Sequence, residues 1–136
     1  MRIAITPLFV VATIVLIAGC TSPNTNTNTD TTIQPSNPQI YTVEMTPAGF
    51  SPGSLVIKAG DTVNFVNKDT IPHQPASAAH PTHAVYPEPG GCVGSKFDAC
   101  SGVAPGQSWS FVFTKVGSWK YHDHLNPNMF GTIIVE

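Results

Sequence analysis

The chain has 136 residues, of which 10% are charged, and its formal net charge at pH 7 is −2. This length is sufficient for one modest domain, and the scarcity of basic residues excludes nucleic acid as an expected partner. The chain contains 13 prolines and 11 glycines, and its short apolar segments show no sustained helical periodicity. Together these features indicate an all-β domain with many turns.

Residues 1–19 are predicted to be a lipoprotein signal peptide. Arg2 precedes an apolar run from Ile3 to Ile17, and small residues then lead to Cys20, which is the layout of a secretory signal. The segment resembles a bacterial lipoprotein signal, and by that resemblance Cys20 is the lipidated N-terminus. An uncleaved anchor is the alternative, but a run interrupted by Pro7 is short for a membrane span of about 20 residues.

Residues 20–38 are predicted to be a disordered tether that follows the lipidated cysteine. The segment is rich in Thr and Asn, and Ile33 is its only sizeable apolar side chain, so it cannot form a core. We therefore expect an extracytoplasmic protein that is anchored by lipid to the cell membrane, in a periplasm or at the cell surface.

The remaining residues, 39–136, form a domain of short strands. Tyr41, Val43 and Met45 alternate with polar residues, which is the period-2 pattern of a half-buried strand. A loop is predicted over 47–52. Residues 74–106 are rich in proline and glycine, and a loop of this length in a small domain is typically functional. The other predicted strands cover residues 54–58, 62–67, 108–114, 117–123 and 129–135.

Cys92 and Cys100 remain as an even pair once Cys20 is assigned to the lipid. In an oxidising compartment we expect them to form a disulfide. Such a bond would brace the long loop and stabilise the fold by about 2–3 kcal/mol. A thiolate metal site is the alternative, but neither cysteine has Cys-x-x-Cys spacing or a neighbouring histidine.

Candidate metal ligands are concentrated in the second half of the chain, where all five histidines lie between residues 73 and 124. Imidazole suits copper, zinc, nickel and iron, and a thioether adds a bias toward copper. We predict copper as the cofactor, with zinc left open, and a metal-free titrating surface patch as the alternative. The candidate ligands are His73, His80, His83, His122, Asp123, His124 and Met129.

Four segments of the domain resemble the cupredoxin family, in its plastocyanin/amicyanin-like group. The resemblance covers residues 40–136, with 74–106 as an insertion. It implies a Greek-key β-sandwich of seven or eight strands with the ligand loops at one end. It also implies that His73 is a copper ligand and that Met129 holds the weak axial position. The four segments are Gly49–Pro52, Lys58–Val63, Asn67–His73 and Tyr121–Val135.

The chain departs from the family at two ligand positions. The family loop has the form Tyr-x-Cys-x-x-His-x-x-Met-x-Gly, and Tyr121, Met129 and Gly131 fit it without gaps. Asp123 stands at the cysteine position and Asn126 at the histidine position. Because the thiolate ligand is replaced, a blue copper site is not carried over, and we expect a non-blue, type 2-like site.

The alternation of side chains along 117–123 ranks the candidate ligands. If this segment stays extended, Tyr121 and Asp123 share one face, and His122 faces away. The resemblance directs the position of Asp123 toward the metal, whereas His124 lies beyond the strand and is free to turn inward. The expected ligands, in order, are His73 and His124, Asp123, His122, and then His80 and His83 from the long loop.

These observations predict an exported, membrane-tethered protein that binds copper for electron transfer or copper handling, with a redox or copper-transfer protein as its partner. A copper-dependent redox enzyme is a second hypothesis, although no acid–base constellation accompanies the ligands. A metal-free module that binds a protein partner through residues 74–106 is a third.

Overall fold

The computed structural model describes residues 37–136, which contain eight strands. The strands are β1 (Ile40–Thr46), β2 (Gly49–Ser51), β3 (Ser54–Ile57), β4 (Thr62–Asn67), β5 (Pro75–Ser77), β6 (Ser108–Val112), β7 (Gly117–Asp123) and β8 (Asn126–Val135). The predicted signal peptide, Cys20 and all but the last two residues of the predicted tether lie outside the described residues.

The eight strands form two four-stranded sheets, in the orders β2-β1-β4-β6 and β3-β8-β7-β5. Parallel pairs, β1 with β4 and β3 with β8, occur in both sheets beside antiparallel ones. This arrangement confirms the predicted all-β Greek-key sandwich. Within residues 37–136 no helix is long and apolar enough to cross a membrane.

The alternation of apolar side chains explains why the central strands form where they do. In β4, Val63, Phe65 and Asn67 are buried, and the residues between them are partly exposed. The parallel partner β1 buries Val43 and Met45 completely, and Val43 lies opposite Phe65. One face of each strand therefore enters the core between the sheets, as the period-2 pattern predicts.

The structure differs from the predicted strands at a few boundaries. The loop predicted over 47–52 contains the short strand β2, because a tight turn brings the chain back against β1. Thr46 Oγ1 stabilises that turn by donating to the carbonyl oxygen of Gly49. The last strand begins at Asn126 rather than at 129, because Asp123 and Asn126 pair across a short hairpin. β6 ends at Val112, two residues earlier than predicted.

The long loop over 74–106 is irregular, as predicted, but its side chains complete the core. Its one short strand, β5, pairs with β7 at the edge of the second sheet. Phe97 is fully buried, with its ring centroid 4.8 Å from that of Phe113 and 5.7 Å from that of Tyr121. Tyr86 is 1% exposed and packs edge-on against Phe113. Removing this loop would therefore open the core.

The predicted disulfide between Cys92 and Cys100 is confirmed, with the two Cα atoms 5.5 Å apart. Both cysteines lie at the surface. The bond closes a small ring of chain within the long loop, and Phe97, which lies inside this ring, is one of the core residues.

The hydroxyl groups of two buried tyrosines, Tyr86 and Tyr121, can be compared to test what attaches the long loop to the sheets. The hydroxyl oxygen of Tyr86 accepts hydrogen bonds from the backbone N–H groups of Thr114 and Lys115, at 2.9 and 3.3 Å. The hydroxyl of Tyr121 has no hydrogen-bond partner among the described residues. We expect Tyr86→Phe to lower the free energy of unfolding by about 1–2 kcal/mol and Tyr121→Phe to leave it nearly unchanged.

Urea denaturation of the metal-free protein, followed by fluorescence, measures both changes. An equal loss of stability in the two variants would contradict the assignment of Tyr86 as the polar anchor of the loop.

Candidate metal centre

The end of β7 presents two histidines on the outer side of its sheet. His122 pairs with Ala76 of β5 and Phe130 of β8, so its side chain shares the face of these two residues. The pairing of β7 with β8 shifts register between His122 and Asp123, and β7 ends at Asp123. The backbone N–H of His124 donates to the carbonyl oxygen of Gln74 at 2.7 Å, which holds the following residue beside the same edge.

The long loop supplies two more histidines that cover this edge. After β5 the chain turns back, and the N–H groups of His83 and Val85 donate to the carbonyl oxygens of Ala79 and Ala78. The turn brings His80 and His83 over β7. The ring centroid of His83 lies 4.9 Å from that of His122 and 4.8 Å from that of His124. His83 and His122 are consequently only 1% and 6% exposed, whereas His80 remains exposed.

The four imidazoles together form a group of nitrogens that fits one metal ion. One ring nitrogen from each of His80, His83, His122 and His124 lies within 4.8 Å of the others. A metal about 2.1 Å from four nitrogens holds them about 3.4 Å apart in a tetrahedron, and about 4.2 Å apart across a square. Small rotations of the side chains would therefore bring all four nitrogens into contact with a single ion.

One contact within this four-histidine cluster has hydrogen-bond geometry, that between His83 Nε2 and His80 Nδ1 at 3.2 Å, and three other nitrogens have no partner in the described part of the chain. His83 Nδ1, His122 Nε2 and His124 Nδ1 are buried and make no hydrogen bond to any described residue. Each such atom costs about 1–3 kcal/mol when it is left unsatisfied, so several in one place need an explanation. A metal ion bound by these rings would give the nitrogens that face it a partner. The unpartnered nitrogens therefore support the fit of the cluster to a metal ion.

The protonation states also suit metal binding, because neutral imidazole is the ligand form. Burial, followed by the neighbouring rings of His83 and His80, lowers the pKa of His122 from 6.5 to about 4. Burial also lowers the pKa of His83, and the neighbouring His80 and His124 lower that pKa by a smaller amount. Both side chains are therefore neutral near pH 7.

His73 lies outside the four-histidine cluster, although the family resemblance predicts it as one of the first two ligands. It is 1% exposed, and each of its ring nitrogens faces a carboxylate. Nδ1 lies 2.7 Å from Asp123 Oδ2, and Nε2 lies 3.1 Å from Asp69 Oδ2. Since both nitrogens are engaged by carboxylates, His73 has no free ligand atom in this arrangement.

Asp123 likewise faces away from the cluster. Its carboxylate is fully buried and accepts hydrogen bonds at Oδ1 from the N–H groups of Gln74 and Leu125, at 2.7 and 3.1 Å. Met129 also points inward, because its neighbour Phe130 shares the face of His122, and it is buried in the apolar core. Of the seven candidate ligands, the structure brings together four, and His73, Asp123 and Met129 lie elsewhere.

Sequence reasoning did not identify Asp69 as a partner of His73. Its position four residues before a histidine was the available signal, but the pairing depends on the loop over 67–73. Asn67 shapes that loop, because its side-chain amide donates to the carbonyl oxygens of Ile71 and Val103, both at 2.8 Å.

No model of a known protein family matches the chain, but individual relatives do. The plastocyanin of Scenedesmus fuscus is 34% identical over 93 residues, which cover 64% of this chain and 86% of that protein. The chloroplastic plastocyanin of Chlamydomonas reinhardtii is 36% identical over the same length, and the chain spans 58% of it. The amicyanin of Paracoccus denitrificans is 30% identical over 82 residues, which cover 60% of this chain and 54% of that protein.

Solved structures show the same fold. A purple cupredoxin from Nitrosopumilus maritimus has a TM-score of 0.57 at 21% identity, with 71% of this chain and 99% of that chain covered. A reduced amicyanin with one substitution has a TM-score of 0.57 at 24% identity, with 71% and 82% covered. Together with the sequence identity to the Scenedesmus fuscus protein over most of its length, this likeness shows that the chain belongs to the plastocyanin/amicyanin-like cupredoxins.

Proposed function

We propose that this protein is an exported, membrane-tethered cupredoxin that binds one copper ion at a non-blue centre formed by His80, His83, His122 and His124. The observation that supports the proposal is the set of four imidazole nitrogens within 4.8 Å of one another. Three of the four rings also have a buried nitrogen without a hydrogen-bond partner in the described part of the chain. The role we assign is copper handling outside the cytoplasm.

The chemistry of the donor set supports copper(II) as the cargo. Imidazole is a borderline ligand that suits Cu(II), Zn(II) and Ni(II), and Cu(II) has the highest affinity among the divalent metals of this series. Thiolate and thioether ligands, which favour Cu(I), are absent from the cluster. When bound, copper would supply a one-electron redox couple, and the chain's own contribution is to present neutral, preoriented imidazoles.

Electron transfer is the second candidate function. Membership of the cupredoxins, an electron-transfer family, supports it, as does the exposure of His80 at the outer edge of the cluster, where a partner protein could approach. Copper handling is favoured because the cluster lacks the cysteine thiolate that characterises blue-copper electron-transfer sites. The cluster contains no acid or base besides its histidines, so an enzyme is the least supported of the copper-dependent functions.

The proposed location outside the cytoplasm rests on the signal-like residues before Cys20 and on the surface disulfide between Cys92 and Cys100, which is typical of an oxidising compartment. Acylation of Cys20 would attach the domain to the membrane, and residues 21–38 would hold it away from the bilayer.

Copper titration tests the centre directly. One equivalent of Cu(II) added to the purified protein should give a type 2 EPR spectrum with hyperfine coupling to several nitrogens. His122→Ala should weaken Cu(II) binding at least about tenfold, since the loss of outer-shell groups alone has effects of this size. Lys120→Ala is the matched control, because Lys120 lies on the same face of β7 but is exposed. Equal affinities of the two variants, or no binding by the parent protein, would refute the proposed centre.

The identity of the ligands can be tested at Asp123. Asp123→Asn retains a side-chain oxygen that can accept from the N–H groups of Gln74 and Leu125, but it lacks the charge of a carboxylate ligand. Because the carboxylate points to His73, we expect the Cu(II) EPR spectrum to keep the nitrogen couplings and g-values of the parent. Changed g-values with retained nitrogen couplings would mean that Asp123 binds the metal, as the family motif implies.

The membrane anchor can be tested at Cys20. When the full chain is expressed in a bacterial host, Cys20→Ala should move the protein from the membrane fraction to the soluble fraction, because the acylation site is lost. Immunoblots of the two fractions measure the change. A variant that stays in the membrane fraction would favour the uncleaved anchor.

A further inference from the structure

The turn that carries His80 and His83 lies against the disulfide-closed loop of residues 92–100. Gly94 makes this contact. A Cβ atom added at Gly94 would overlap the carbonyl oxygen of Thr82, and it would lie 3.1 Å from the carbonyl carbon of Thr82 and 3.4 Å from that of His83. Such distances are shorter than ordinary van der Waals contacts, so only glycine allows the two backbones to approach this closely.

The 92–100 loop is in turn fixed to the sheet that carries the other two histidines. The N–H of Ser77 donates to the carbonyl oxygen of Phe97 at 2.7 Å, and the N–H of Ala99 donates to that of Pro75 at 3.0 Å. Ser77 and Pro75 belong to β5, which pairs directly with β7 at Tyr121 and Asp123. The loop therefore keeps a fixed position relative to His122 and His124.

A buried carboxylate strengthens this attachment. Asp98 is 4% exposed, and its Oδ1 accepts from the side-chain amide of Gln74 at 2.9 Å and from the N–H of Cys100 at 2.7 Å. The carbonyl oxygen of Gln74 also accepts a hydrogen bond from the backbone N–H of His124. One end of the disulfide is thus connected, through two residues, to the backbone of a candidate metal ligand.

The turn of residues 78–84 has fewer attachments of its own. Its backbone hydrogen bonds to residues outside the turn are both made by Ala78, whose N–H donates to the carbonyl oxygen of Lys120 and whose carbonyl oxygen accepts from the N–H of Val85. The side chain of His80 is exposed. Nothing else among the described hydrogen bonds ties Thr82 or His83 to β7. The ring of His83 is held by its contact with His80, at 3.2 Å between Nε2 and Nδ1, while the backbone of Thr82 and His83 is backed by Gly94.

We propose that the disulfide-closed loop 92–100 positions His80 and His83 for the metal through the Gly94 contact, so that Gly94 and the Cys92–Cys100 bond determine copper affinity without contacting copper. This inference rests on the proposed copper centre. The 92–100 loop packs against the 78–84 turn and keeps that turn in contact with β7. If the turn is displaced, His80 and His83 move out of reach of His122 and His124.

Gly94→Ala tests the contact, with Gly53→Ala as the matched control. A Cβ atom at Gly53 would meet only the carbonyl oxygen of Phe50, at an ordinary 3.7 Å. We expect Gly94→Ala to weaken Cu(II) binding at least about tenfold and to reduce the number of coupled nitrogens in the EPR spectrum. Gly53→Ala should match the parent. Parental affinity and couplings in Gly94→Ala would overturn the proposal.

A variant that lacks His80 and His83 shows whether Gly94→Ala acts by moving these two ligands or by destabilising the whole fold. In a protein that already carries His80→Ala and His83→Ala, the addition of Gly94→Ala should leave the residual Cu(II) affinity unchanged, because the ligands that it displaces are gone. An equal loss of affinity in both backgrounds would mean that the substitution acts through the whole fold, and it would overturn the positioning role.

Metal-free NMR distinguishes failure of this inference from failure of the proposed function. In the apo protein, Gly94→Ala and the Cys92→Ser, Cys100→Ser pair should each shift the ring-proton resonances of His80 and His83 more than those of His73. Unchanged His80 and His83 resonances would overturn the inference even if the parent binds copper. If the parent protein binds no Cu(II) but the variants show these shifts, the copper centre is refuted and the positioning of the two rings is established.

Discussion

The buried carboxylate of Asp123 is the constraint on which both faces of β7 depend, the inner face with His73 and the outer face with His122. It is fully buried, and a charge in that position must be paired and hydrogen-bonded. It meets this need with His73 Nδ1 and with two backbone N–H groups. Asp123 and His122 pair in regular register with two successive residues of β5, so their side chains point to opposite faces, and a carboxylate fixed inward leaves His122 outward. The hydrogen bond from the N–H of His124 to Gln74 then holds the next histidine at the same edge.

This constraint explains how a cupredoxin framework accommodates a different kind of centre. The family motif assigns its cysteine to the position of Asp123, and the first histidine to that of His73. Here these two side chains pair with each other, and Asp69 engages the remaining nitrogen of His73. The proposed copper centre lies across β7 from this pair, where the long loop covers His122. The fold is thus retained, while the donors belong to the other face of the same strand.

Much of the fold was predictable, because it depends on local patterns. The alternation in Thr62–Asn67 and Gly117–Asp123 fixed both strands, and the proline-rich segment after His73 indicated an irregular loop. The predicted direction of His122, away from the side of Asp123, also agrees with the sheet. What the pattern could not provide was the position of the loop, which is determined by distant contacts such as Phe97 against Phe113 and Tyr121. For this reason His122 was ranked low, although its outer face is where the loop brings His80 and His83.

The distribution of the four histidines links metal binding to folding. His122 lies at the end of β7 and His124 in the turn that follows it. His80 and His83 lie far earlier in the chain, in the turn of residues 78–84. An ion bound by both pairs would act as a reversible cross-link between the turn and β7, in addition to the covalent one at Cys92–Cys100. By mass action, the free energy by which such an ion stabilises the folded chain rises with the logarithm of its free concentration once that exceeds the dissociation constant. The resistance of the domain to unfolding would then report how much metal the surroundings contain.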